Sequence, residues 1–367
     1  MRINNIYIAL TILATVSCTG VIEYLDDDTS YEIVVNMQTS TAAESHTVFV
    51  SKGYRQEVKG LEGAEVTILV NGDEVCKAIQ EEKEDFVDAH GNHYSNEWHY
   101  REQARYLFDH VFKPGDRVGI RVEYDGRTAL AQTVVPDPGT VEKLDTMSVN
   151  RKDILGEMSG FLEYSAALRD VDGEDTYYRV EMIERKTVTG HFEQDGMKVR
   201  DDITEYIEEP IDYYVFSDPV LLDGYPSMTD DNILADFTPV NSMNVFSDRL
   251  FPDSGRTVRT HVMKVGYQYA YFVFRDPDTG AMLYASSVDM VGETVFRLMT
   301  IDRIEFNYLK AINNFQAYGY DSSFIIEPTS LPTNVSGGIG VVSVASVSEM
   351  AVSLERFGVV GREVIYY

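Results

Sequence analysis

The segment FKPGDRVGIRVEYDGRTALAQTVVP, residues 112–136, sets the fold class. Val118, Ile120 and Val122 fall on alternate positions, the period of a strand with one buried face. Lys113-Pro114-Gly115-Asp116 turns the chain into that strand, Asp125-Gly126 turns it back, and Ala129 to Val135 returns. Working outward, GAEVTILVNGDEV (63–75) repeats the device, with Val66, Ile68 and Val70 on one side and a hairpin turn at Asn71-Gly72. YEIVVNMQ (31–38) and HTVFVSK (46–52) carry the same alternation or short apolar runs, and DAHGNHYSN (88–96) reads as another turn between strands. Short strands with turns at this spacing predict an Ig-like β-sandwich over residues 31–138.

VPDPGT (135–140) closes that region, because Pro136 and Pro138 have no N–H to give a ladder. Residues 139–367 read as a second, larger β-rich domain. There GFLEYSAALRD (160–170) and TYYRVEMIERKTV (176–188) flank a turn at 170–173. VMKVGYQYAYFVFRD (262–276) and AMLYASSVDMV (281–291) flank Asp276-Pro277-Asp278-Thr279-Gly280, a hairpin signature. Residues 200–255 show no sustained period and read as mostly loop with short strands. One α-helix is predicted at about 300–315, with Thr300 as its cap and Ile301, Ile304, Tyr308, Ala311, Ile312 and Phe315 on one face. The chain as a whole is mainly β, and no repeat of solenoid or propeller length is visible.

The N-terminus raises a different question. Arg2 precedes an apolar run, Ile6 to Ala14, too short to cross a bilayer as a helix. LATVSCTG (13–20) follows, holding one of only two cysteines in 367 residues. A small residue, Ser17, directly before Cys18 resembles the cleavage box of bacterial lipoproteins. There the thiol is alkylated by diacylglycerol and the new amine is acylated, typically with palmitate. Two anchoring signals of this kind hold a protein stably on a membrane, which one chain does not. The expectation is a signal peptide over 1–17, lipid attachment at Cys18, and an acidic tether over 18–30 that includes Asp26, Asp27 and Asp28. With Cys18 acylated, Cys76 has no intramolecular disulfide partner. The balance of 31 basic and 60 acidic residues, net −29, argues against nucleic acid or an anionic membrane surface as a bulk-charge partner.

Several pieces in order carry a further resemblance. The cysteine box comes first, then GAEVTI, FKPGDRVGIRV, YDGRTALAQTVVP, VFSDRLF (245–251), IDRIEFNYLKAI (301–312) and PTNVSGGIGVVSVAS (332–346). Together they resemble a Bacteroidota outer-membrane lipoprotein family known only as a domain of unknown function (4249). The most specific piece is Thr333-Asn334-Val335-Ser336-Gly337-Gly338-Ile339-Gly340. The family often has an aromatic after this block, where this chain has Val342 and Ser343. The resemblance implies an outer-membrane location and, from genes lying beside TonB-dependent receptors, an accessory role in nutrient capture. It transfers no catalytic residue.

Local motifs add candidates that compete with plainer readings. His90, His93 and His99, with Asp88 and Glu97 nearby, have zinc-compatible residue types, yet the segment reads first as a solvated hairpin tip. Asp170, Asp172, Glu174 and Asp175 offer calcium-type oxygens, as does TDDNILAD (229–236), and ordinary turns account for both. Gly337-Gly338-Ile339-Gly340 lacks the following helix that a phosphate loop requires, so a bulge or a close backbone approach is expected instead. Tyrosine is abundant, at 24 residues, and DYYVF (212–216) and GYQYAYFVF (266–274) either line a ligand surface or build sheet faces. No G-x-S-x-G or H-E-x-x-H occurs. No cofactor, metal or catalytic residue is therefore assigned. The function expected is a non-catalytic, cell-surface lipoprotein that binds a nutrient, peptide or glycan, or supports a TonB-dependent transporter. The alternative is a fimbrial or adhesin subunit that donates a strand such as GREVIYY (361–367) to a neighbour.

Overall fold

The N-terminal strands take up the alternation read from the sequence. In a computed structural model, β1 (Glu32–Ser40), β2 (Ser45–Tyr54), β3 (Glu57–Gly60), β4 (Glu65–Val70), β5 (Asp73–Gln80), β6 (Asp85–Val87), β7 (His93–Ser95), β8 (Ala104–Asp109), β9 (Arg117–Tyr124) and β10 (Arg127–Val134) follow one another. The structure describes residues 31–54, 57–82, 85–87, 93–95, 103–152, 158–171, 175–194, 197–213, 215, 220, 243–251, 256–263, 268–269, 273–318, 331–353, 357–360 and 363–365. Strand pairing runs β1-β2-β8-β5 and β5-β4-β9-β10. Ile33, Val35, Met37, Val48, Val50, Val66, Ile68, Val118, Ile120 and Val122 are all buried, so the expected apolar faces meet as a sandwich core. The Asn71-Gly72 hairpin has φ of 55° and 94°, the left-handed pair that a type I′ turn needs. Tyr106, buried, pins the loop before β4 by donating to the Leu61 carbonyl at 2.7 Å and accepting from the Ala64 N–H at 2.9 Å.

Strand pairing lapses between Val134 and Thr140, where Pro136 and Pro138 sit. Then come β11 (Thr140–Lys152), β12 (Met158–Arg169), β13 (Tyr177–His191), β14 (Glu193–Gln194), β15 (Met197–Lys198), β16 (Ile203–Pro210), β17 (Val245–Ser247), β18 (Arg256–Met263), β19 (Gln268–Tyr269), β20 (Val273–Arg275), β21 (Met282–Tyr284) and β22 (Ser287–Ile301). Helix α1 (Arg303–Tyr318) leads to β23 (Val335–Ser336), β24 (Val342–Ser353), β25 (Phe357–Val360) and β26 (Glu363–Ile365). The chain is mainly β, with one helix that starts and ends about three residues later than the sequence placed it. The 200–255 stretch holds more order than its pattern suggested, since β16 is a full eight-residue strand.

The backbone of this half is the pair β13–β22, in register from Tyr177↔Ile301 to His191↔Ser287. β16 flanks β13 and β24 flanks β22, giving a central antiparallel sheet in the order β16-β13-β22-β24. β12 and β13 do not form a hairpin across the turn at 170–173. They enter different sheets, because β12 pairs with β11 and β18. That three-stranded layer packs on one face of the central sheet through Val141, Leu144, Tyr164, Ala166, Leu168 and Val258 against Tyr178, Val180, Met182, Phe296 and Leu298. The predicted β20–β21 hairpin forms and packs on the same face further along, where Phe274 joins Val188, Phe192, Val288 and Met290. Phe274 lies where a Cβ on Gly190 would be, 2.4 Å from its ring.

Helix α1 covers the opposite face at one end only, with Phe306 and Leu309 against Met299, Ile301 and Ala345. Its cap is Asp302, whose Oδ1 accepts the Glu305 N–H at 2.7 Å. Thr300, expected as the cap, remains in β22 and its Oγ1 instead accepts the Gly139 N–H at 2.8 Å. The strand wins those residues because β13 pairs with it to Ile301. The buried helix face takes in Ala311, as expected, together with Glu305, Phe306, Leu309 and Asn313, while the expected Tyr308 and Ile312 pack partly buried at its edge.

The glycine block explains how the last part of the chain returns to the first. β23 pairs with β10, and β24 runs parallel to β1 from Met37↔Val342 to Ser40↔Ala345. Between them the Ile339 N–H donates to the Ile33 carbonyl and the Val35 N–H to the Ile339 carbonyl, both at 2.9 Å. A Cβ on Gly338 would lie 2.3 Å from the Ile33 oxygen, and one on Gly340, at φ 127°, 2.0 Å from the Val35 oxygen. The expected close approach is therefore real, and its partner is β1 of the N-terminal sandwich. Asn334 holds the block's neck, its amide donating to the Gln132 and Val342 carbonyls and accepting the Val342 N–H. Residues Glu32–Tyr367 thus form one compact unit, in which strands from both ends of the chain share hydrogen bonds.

Candidate functional site

Beyond the end of helix α1, no element among the described residues packs on the face of the central sheet opposite the three-stranded layer. It is set by the odd positions of β13 and β22 and the even positions of β16, since residues paired across strands point to the same side. Three rows cross it. Glu208, Arg185 and Glu293 form the first, Tyr206, Thr187 and Val291 the second, Thr204, Thr189 and Asp289 the third. Tyr206 is 64% exposed and Val291 75%, so the middle row presents an aromatic and a β-branched side chain to solvent.

The first row belongs to an ion-pair lattice. Arg185 donates to Glu208 at 3.0 Å and Glu349 at 2.8 Å, with Glu293 at 3.8 Å. Arg297, two rows toward the helix past Ile183 and Val295, donates to Glu349 at 2.6 Å and Glu208 at 3.1 Å, with Glu181 at 3.8 Å. Opposite charges sit directly across strands, Glu208–Arg185–Glu293 and Glu181–Arg297–Glu349. The Arg185 guanidinium holds the Glu208 carboxyl below its usual range, against the smaller opposing effect of burial. Glu208 Oε2 also accepts from the Tyr206 hydroxyl at 3.2 Å, which fixes the ring's polar tip.

The third row ends in a second compensated group. The Thr189 and Thr204 hydroxyls share a hydrogen bond at 3.0 Å. His191 lies next along β13, between Asp289 on Nε2 and Asp202 on Nδ1, each at 3.1 Å. The Asp289 hydrogen bond raises the imidazole pKa despite some desolvation, and Asp202 adds to it. The arrangement is a row of Tyr206, Thr187 and Val291 between two rows of hydrogen-bonded carboxylates and hydroxyls. It has the elements of a binding surface, and nothing in it is arranged as a nucleophile with its base.

The sequence-predicted candidates lie elsewhere. Cys18, His90, His99, Asp172, Glu174 and residues 229–236 fall outside the described residues. His93 lies in β7, opposite Val87. Asp170 accepts hydrogen bonds from the Tyr178 hydroxyl and the Val171 N–H, so part of its capacity serves local structure. Among the described residues, no group of three His, Cys, Asp or Glu side chains is arranged to hold a metal ion. In the glycine block the Ile339 N–H is directed to the Ile33 carbonyl of β1. From the tyrosine-rich stretches, the Tyr213 hydroxyl donates to the Val180 carbonyl at 2.6 Å, a structural use. β26, from the C-terminal segment, pairs with β25 and β19 of its own chain. Among the described residues no helix is long and apolar enough to cross a membrane.

Sequence reasoning passed over Tyr206, because 203–210 looked unpatterned. The signal was present: Ile203 and Ile207 face the core, while Thr204, Tyr206 and Glu208 alternate outward.

The model of the family described as Domain of unknown function (DUF4249) matches residues 22–351. The chain belongs to that family. The DUF4249 match takes in all three rows of the open face, the capped helix and the glycine block. No curated protein matches the chain.

Proposed function

We propose that this DUF4249 protein is an outer-membrane lipoprotein, anchored through Cys18, that binds a ligand as a non-catalytic accessory of a TonB-dependent transporter. The observation that carries the binding role is the open face of the central sheet, where Tyr206 and Val291 are exposed between rows of ordered polar groups. Antiparallel sheets commonly leave one face to solvent, and here that face carries an aromatic and a β-branched side chain between the polar rows. The anchor rests on the Ser17-Cys18 box and the acidic tether after it. The transporter partnership rests on the resemblance to a Bacteroidota family whose genes lie beside receptor genes.

The test is affinity isolation of the tagged, intact protein from native membranes solubilised in mild detergent. Co-purification of a TonB-dependent receptor, absent when Cys18→Ala releases the protein from the membrane, is the expected result. Recovery of the wild-type chain from the periplasmic fraction with no receptor would count decisively against the proposal.

A further inference from the structure

His191 ends β13 on the same face as Tyr206, and both of its ring nitrogens meet a carboxylate. Nε2 lies 3.1 Å from Asp289 and Nδ1 lies 3.1 Å from Asp202. A neutral imidazole has one N–H to donate. In either tautomer its other nitrogen would turn a lone pair toward an anionic oxygen. The imidazolium donates to both. The geometry therefore calls for the charged ring, and the raised pKa has the same origin, in Asp289 first and then Asp202, against some desolvation.

The two carboxylates come from different parts of the chain. Asp289 is on β22, whereas Asp202 ends the short connection, Val199 to Asp202, between β15 and β16. Arg200 ties that connection to the β20–β21 turn by donating twice to the Asp276 carboxylate. The Val199 N–H adds a bond to the Phe192 carbonyl at 2.9 Å. The ladder between β13 and β16 begins only at Gly190↔Ile203, so Asp202 on His191 is the last tie before it. Around the ring stand Asp289 from β22, Asp202 and Asp201 from the connection, and Lys198 from β15, 3.2 Å from Asp202 and 3.7 Å from Asp201. Glu193 lies two residues on, in β14. β25, which pairs with β22 at Ser287 and Asp289, carries no ionisable side chain. Carboxylates outnumber the single lysine, and the imidazolium supplies the second cation.

We infer that His191 is a pH-sensitive clamp: as the imidazolium it pins the β15–β16 connection to β22 through Asp202 and Asp289, and on losing its proton it releases the start of β16. The clamp is complete below the ordinary histidine value of 6.5 and is lost as pH rises through the higher value of the folded chain. Arg200 stays charged across that range, so the connection remains tethered at the β20–β21 turn and the release is local. The inference depends neither on what the face binds nor on Cys18.

The experiment is amide hydrogen exchange of the full mature chain at steps from about pH 5.5 to 8.5, corrected for the intrinsic pH dependence of exchange. Protection over residues 201–206 should fall roughly two- to fivefold across that range in the wild type, the size expected of half-exposed ion pairs. His191→Asn should show the weaker protection at every pH, with no step. His191→Arg, whose charge is fixed, should keep the stronger protection at pH 8.5. A second readout needs no variant fold: the ring nitrogens of His191 in histidine-labelled wild type, followed by nuclear magnetic resonance, should titrate above 6.5 and report both nitrogens protonated below it. A ring that titrates at or below 6.5 overturns the inference. Protection that ignores pH overturns it too, as does a step that persists in His191→Asn.

Discussion

Replacing Glu305 by Gln should remove a pH dependence of stability that the helix–sheet contact creates. Glu305 is 1% exposed beneath the first turn of α1, and its Oε2 has no hydrogen bond among the described residues. Burial pushes its carboxyl up to about 7 from the ordinary 4.5. Ser343 pulls against that shift, Asp302 adds to it, Arg179 opposes it and Glu181 adds slightly. Below pH 4.5 the group is protonated in both folded and unfolded chains and costs nothing. As pH rises toward 7 the unfolded chain loses the proton while the folded chain keeps it, so stability falls across that window and levels off above it. The gap between the two values corresponds to about 3 kcal/mol. Gln keeps the shape without ionising. Urea denaturation of both proteins at steps from pH 4 to 8 supplies the readout, taken as their difference so that other titrating groups cancel. Glu305→Gln should match wild type near pH 4 and gain up to about 3 kcal/mol by pH 8. A difference that stays flat with pH, or a variant less stable at pH 8, would refute the reasoning.

Other perturbations follow from the same structure. Gly340→Ala places a Cβ 2.0 Å from the Val35 oxygen at φ 127°, and should cost at least about 3 kcal/mol in a denaturant melt. Asp302→Ala removes the helix cap and the hydrogen bond from Thr133 at 2.5 Å, so a loss of roughly 1–2 kcal/mol is expected by the same assay. Arg297→Met leaves Glu208, Glu349 and Glu181 with one fewer cation and should cost about 1–2 kcal/mol, a deficit that shrinks in 1 M salt.

Strands β1, β2, β4, β9 and β10 were legible because each carries its own evidence, alternation or a short apolar run, with Asn-Gly or Asp-Gly turns after β4 and β9. The glycine block was legible as a close approach, since three glycines within four residues before an apolar run leave little else. Its partner was not legible, because contact with β1 joins residues about 300 positions apart and leaves no local trace. The helix was visible by period, yet its start was misplaced by the length of β22, which only pairing with β13 fixes. The candidate face was the least readable. Tyr206 acquires meaning through Thr187 and Val291, and its flanking acceptors through Arg185 and His191, all brought together by register across three strands. The Arg–Glu lattice was hidden likewise, since Glu208, Arg185, Glu293 and Glu349 are each unexceptional in a chain with 60 acidic residues.

The account's central claim is that this chain works tethered to a membrane, displaying a binding face. Intact-mass analysis of the protein from washed membranes tests it most directly. The account predicts a chain that begins at Cys18 and carries a diacylglycerol thioether and an N-acyl chain, retained in the membrane fraction. An unmodified Cys18 in a chain recovered from the soluble fraction would contradict it.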